Sequence, residues 1–157
     1  MRYARNAALA AATMTLVACG GDTAAPADAV PAELAATWVA EPACLPHCGF
    51  TLASVANPAD SINVTAFAGL STEIAMTRDG TFRLRIRPGP DTASVAQVRA
   101  VARMLIVTDA AGTVDTLDYA LAGHYLQLRF RRPFTVFDFT GDGRNDPAHA
   151  RGTFRRR

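Results

Sequence analysis

The chain has 157 residues, of which 50% are hydrophobic, 8% aromatic and 19% charged. That is enough for one domain with its own core and too little for two ordinary ones, and so apolar a composition excludes a disordered chain. All 16 basic residues are Arg. Setting aside Arg2 and Arg5 at the extreme N-terminus, the rest equal the 14 acids in number. No electrostatic footprint for DNA or RNA survives that balance, so nucleic acid is not expected as a partner.

The first residues carry two Arg and no acid, followed by a short, mostly apolar run from Ala7 to Ala18. This is the layout of a secretory signal peptide, and the run is too short for a permanent membrane helix, which needs about 20 apolar residues. Leu16-Val17-Ala18-Cys19 resembles the lipobox of bacterial lipoproteins. The resemblance implies cleavage before Cys19 and acylation of its thiol and new amine, and two or three acyl chains anchor effectively permanently. Gly20 rather than Asp follows Cys19, which leans toward the outer membrane over the inner one. Residues 1–18 are therefore expected to be a signal peptide. Residues 19–32, small and polar with Pro26 and Pro31, form an acylated flexible tether, and 33–157 form the domain.

From Leu34 onward short alternating segments recur between Gly, Asp, Asn and Pro, which is the all-β pattern. Pro31 to Ala36 fits one helical turn ahead of a strand at Trp38, which is expected to pack near a closed barrel end. Strands follow at Phe50–Val55, Ile62–Phe67 and Thr72–Thr77, and Arg78-Asp79-Gly80 makes a tight turn into Thr81–Arg87. There Phe82, Leu84 and Ile86 take one face and three arginines the other. Asp91 to Met104 fits two readings. Val95, Val98 and Val101 recur at helix-like spacing, yet the flanking pattern is that of strands. Further strands are expected at Met104–Thr108, Asp115–Leu121, Tyr125–Arg131, Thr135–Phe139 and Arg151–Arg156, with Ala111-Gly112 and Ala122-Gly123-His124 as turns. Eight to ten strands with short connections must curl or close to manage their edges, and a small antiparallel barrel is the expected solution.

Leu34-Ala-Ala-Thr-Trp38, Phe50-Thr-Leu-Ala-Ser-Val55, Asp79-Gly-Thr-Phe82 and Leu121-Ala-Gly-His-Tyr-Leu126 together resemble the lipocalin-like domains of many bacterial lipoproteins. The family's Gly before the Trp is Ala36 here, and its glycine turn near 102–103 reads Ala-Arg. The resemblance implies a small up-and-down barrel over residues 34–157, in a family that often binds a small hydrophobic ligand.

Two segments could carry chemistry. Cys44-Leu-Pro-His-Cys48 leaves an even pair of thiols once Cys19 is acylated, which suits a structural disulfide in an oxidising compartment. Alternatively, two thiolates with His47 suit a soft ion such as Cu(I), or the thiols stay unpaired. Asp138-Phe-Thr-Gly-Asp-Gly-Arg-Asn-Asp146 resembles a calcium loop. Asp138, Thr140, Asp142, the Arg144 carbonyl and Asp146 would supply oxygens around a turn at Gly143. Against that, position three is Thr and position twelve is His149, so an ordinary polar turn is the competing reading.

Arg83, Arg85 and Arg87 share a face, as do Arg129 and Arg131, with Arg155 to Arg157 at the C-terminus. Such a surface could meet lipid phosphates or simply be the solvated outside of a barrel. With three histidines and no Gly-x-Ser-x-Gly or His-Glu-x-x-His, catalysis is not expected. Nor is a cofactor required, calcium being the one candidate ion. The expected function is that of a lipid-anchored envelope lipoprotein whose barrel binds or shields a small apolar ligand. The alternatives are a filled, non-catalytic structural or assembly module and a metal-responsive protein using Cys44, His47 and Cys48.

Overall fold

Where apolar side chains alternate with polar ones, the chain pairs into antiparallel strands. A computed structural model describes residues 29–88 and 93–157. Its strands are β1 (Thr37–Ala40), β2 (Gly49–Ser54), β3 (Ser61–Asn63), β4 (Ser71–Met76), β5 (Thr81–Arg87), β6 (Ser94–Val101) and β7 (Met104–Asp109). They continue as β8 (Val114–Ala122), β9 (Tyr125–Phe130), β10 (Thr135–Phe137) and β11 (Asp146–Arg156). A 3₁₀ turn at Pro42–Cys44 and a short helix, α1 (Val64–Ala68), complete the elements. The wall runs β1-β4-β5-β6-β7-β8-β9-β11, and β11 pairs back to β1, so the protein is a closed, eight-stranded antiparallel barrel. Closure removes the free edges that so many strands would otherwise expose.

Register shows that three wall strands are interrupted. Val39 faces Arg155, and Gly49 faces Thr153 on the same edge of β11. β1 and β2 are thus one strand with residues 41–48 looped out between them. On the adjacent strand Asn63 faces Thr51 and Thr72 faces Ala40, with α1 in the gap. β9 and β10 likewise follow one edge of β11, since Arg129 faces Arg151 and Thr135 faces Ala148. Two of the excursions flank β11 and the third lies one strand further round, whereas β5 to β8 pair without interruption.

Three expectations need correction. Ile62–Phe67 is not one strand: β3 stops at Asn63, whose side chain accepts the Ala66 N–H at 3.2 Å and caps α1, and Gly69 ends that helix in the left-handed region. The helix-like valine spacing yields to strand pairing in β6, where Val98 is buried and Val95 and Val101 point outward. The tether does not reach residue 32. The Ala29 carbonyl accepts the Ala100 N–H, Val30 donates to the Arg78 carbonyl, and Val30 and Leu34 are fully buried in the core.

One stripe of each strand fills the interior. Trp38, Ile74, Phe82, Val98, Leu105, Leu117, Leu126, Leu128 and Phe154 form a continuous cluster, and Leu105, Leu126 and Phe154 are 0% exposed. At the end bearing the 77–80, 101–104 and 122–125 turns, residues 29–36 cross over and close the barrel. Pro31 accepts from the Ala35 N–H, giving the expected single turn, and Trp38 Nε1 donates to the Leu34 carbonyl at 3.0 Å. Toward the opposite end Phe134 folds over Phe50 edge-on, with ring centroids 5.7 Å apart, and meets Phe130 at 4.7 Å. A barrel of eight strands has a bore that side chains alone can fill, and this cluster lies within it.

Candidate functional site

Side chains at odd positions of β2 and β11, and at matching positions of β8 and β9, point away from the core. Register lays them in rows. Asp118 faces Arg129, Arg129 faces Arg151, and Arg151 faces Thr51. The next row is Ala120, Gln127, Thr153 and Gly49. Between the tall first row and the short second row lies a cleft of about 420 Å³ on the outer wall. A second outer concavity of about 230 Å³ lies across β6 and β7 near Asp79 and Arg99.

The cleft is electropositive along one side. Arg131 Nη2 and Nε contact Asp118 Oδ1 at 2.6 and 2.9 Å. That hydrogen bond, helped by the charges of Arg131 and Arg129, holds the Asp118 carboxyl below the usual range and raises Arg131. Asp118 is the one acid lining the cleft and Arg131 already engages it, while Arg129 and Arg151 stand directly opposite each other with like charge. Sequence reading placed Arg129 on a basic face but did not join it to Arg151, because that pairing depends on the register between β9 and β11.

The other arginines singled out are differently placed. Arg155 contacts Glu41 at 3.3 Å, Arg157 contacts Glu73 at 2.8 Å, and Arg156 lies 5.8 Å from the Trp38 ring centroid. The C-terminal run thus locks β11 to its neighbours across the barrel seam. Arg83 to Arg87 lie on β5, three strands from β11 through β4 and β1.

Cys44 and Cys48 sit at disulfide distance, Cα to Cα 5.5 Å, and both are buried in the 41–48 excursion, while His47 is exposed. The 3₁₀ turn at Pro42–Cys44, continued by the Cys48 N–H to Cys44 carbonyl bond, brings the two sulfurs together. A disulfide between them would leave no thiolate for a soft metal. Asp138 spends its carboxylate on its own loop, accepting from Gly141 N–H at 2.7 Å and Gly143 N–H at 2.9 Å, while Asp142 accepts from Arg144 N–H. Those bonds, Gly143 foremost, lower the Asp138 carboxyl. Thr140 belongs to the same turn, Asp146 instead opens β11 opposite Phe137, and no group of three His, Cys, Asp or Glu side chains among the described residues is placed to hold a metal ion. His124 sits exposed in the β8–β9 turn, and His149 lies on β11 with Nδ1 shielded and unpartnered. Cys19 and the leader lie outside the described residues.

Comparison with protein-family models, curated proteins and solved structures returned no match. The geometry therefore has to carry the functional argument.

Proposed function

We propose that this chain is a lipid-anchored cell-envelope lipoprotein, held through Cys19 and sorted to the outer membrane, whose barrel is a packed, non-catalytic module acting through its outer surface. One observation carries the choice against a ligand-holding lumen: Leu105, Leu117, Leu126 and Phe154 occupy the bore at 1% exposure or less, and the two concavities described above open outward. A lumen serving a small ligand needs roughly 300 Å³ or more of free space. The eight-stranded up-and-down order supports kinship with lipocalin-like lipoprotein domains. Ala29 lies at the end that residues 29–36 close, so a tether preceding it would join the barrel there.

A second reading keeps the small apolar ligand but moves it to the barrel mouth, where Phe134 and Val136 are 36% and 56% exposed. Metabolic labelling with palmitate in a bacterial host tests the anchor. The chain should incorporate label and partition with membranes, and Cys19→Ala should abolish both. Unlabelled protein, or label that survives Cys19→Ala, would contradict the proposal.

A further inference from the structure

We infer that the cleft over β8, β9, β11 and β2 is a binding site for a phosphate group carried as a monoester. Arg129 and Arg151 are the one pair of arginines directly opposite each other in strand register among the described residues. Direct cross-strand neighbours hold their Cβ atoms about 5 Å apart, and like charges there destabilise a sheet unless an anion lies between them. The cleft's acid relieves Arg129 only in part, through its charge, because its hydrogen bonds go to Arg131 at 2.6 and 2.9 Å, and it does not face Arg151. Arg129, Arg131 and Arg151 against Asp118 leave a surplus of two positive charges, which matches a phosphomonoester dianion rather than a carboxylate. Two planar forks can share the oxygens of a tetrahedral anion, each donating two parallel N–H bonds.

The floor is cut to suit. Gly49 and Ala120 place almost nothing over the short row, so about 420 Å³ stays open beside the guanidiniums. A Cβ at Gly49 would lie 2.6 Å from Asn63 Nδ2, so that residue is held small by the fold itself. The Thr51 and Thr153 hydroxyls and the Gln127 amide line the same space and offer hydrogen bonds to the ester's hydroxyl-bearing body. The source of the phosphate is either a lipid headgroup or a soluble ester, and the chemistry at the arginines is shared. The site is independent of how the chain is anchored.

The experiment is an NMR titration of the purified full-length protein with glycerol 3-phosphate at low salt, beside sedimentation with phosphatidylcholine vesicles with or without phosphatidic acid. Expected are saturable shifts centred on Thr51, Gln127, Arg129, Arg151 and Thr153, at least tenfold weaker binding in Arg151→Gln, and unchanged binding in Arg83→Gln on β5. Acetate should bind at least tenfold more weakly than glycerol 3-phosphate. Co-sedimentation that needs both phosphatidic acid and Arg151 identifies a lipid headgroup. Saturable binding of glycerol 3-phosphate without co-sedimentation identifies a soluble ester. Absence of saturation with glycerol 3-phosphate, or equal losses in Arg151→Gln and Arg83→Gln, would overturn the assignment.

Discussion

Gly152 shows how tightly the barrel interior is drawn. Its position on β11 faces inward between Phe50 and Phe154, and a Cβ there would run into the Phe154 ring and lie 3.3 Å from Phe50. Gly152→Ala should therefore cost about 1–3 kcal/mol through overpacking, read as a lowered urea midpoint at unchanged slope. Ala102 makes the opposite case. It turns the β6–β7 hairpin at φ 53°, in the left-handed region where an L residue loses roughly 1–2 kcal/mol, and Tyr119 Oη donates to its carbonyl at 3.0 Å. Part of that loss returns with glycine, so Ala102→Gly should raise stability by about 0.5–1 kcal/mol in the same assay. Acid should act on the carboxylates. Asp79, lowered by the Thr77 hydroxyl, Asp118, lowered by Arg131, and Asp138, lowered by the Gly143 N–H, all titrate below their ordinary value of 3.8 when folded. Their contribution is complete above that value and is lost as pH falls through the depressed folded values. Stability should accordingly stay level from pH 7 toward 5 and then drop below about 4, with amide exchange at Gly141 and Gly143 quickening as Asp138 protonates.

At the level of elements, periodicity located β4, β5, β7, β8 and β9 nearly to the residue, because each buries one face and exposes the other, while β6 stayed open between helix and strand because its valines recur at helix-like spacing. Where strands break, periodicity failed. Cys44 to Cys48 and Val64 to Ala68 sit within strands that resume their pairing afterwards, and only register with β11 reveals the continuity. Asn63 and Gly69 were readable cap signals for α1, but a five-residue helix leaves too little period to see. The Thr65 hydroxyl accepts the Phe50 N–H at 3.0 Å, so α1 completes a ladder that the break would have left open. The Cys44–Cys48 link closes only a five-residue loop within one excursion. Loop-closure entropy limits its worth to about 2 kcal/mol. The double variant Cys44→Ser with Cys48→Ser should stay folded, with a far-UV spectrum unchanged and a thermal midpoint lowered by no more than that energy implies. Loss of the cooperative transition would show that the excursion organises the seam.

For the whole molecule, composition and alternation were sufficient for an all-β barrel, but not for what closes its ends or which faces meet. Val30 looked like tether because its neighbours are small and polar, yet it is fully buried and helps seal one end. The cleft joins residues from β2, β8, β9 and β11, positions too far apart in the chain for any local motif to betray them. The Cys and Asp motifs that drew notice in the sequence fold back on themselves, while Arg129, singled out only as part of a basic face, lies directly across from Arg151. On the proposed reading the bore is full and the outside is the working surface. Methyl NMR of the purified protein during titration with decanoate tests this most directly. The Leu105, Leu117 and Leu126 methyl signals should hold their positions at every concentration. Saturable shifts of those three signals at one equivalent of decanoate would contradict it.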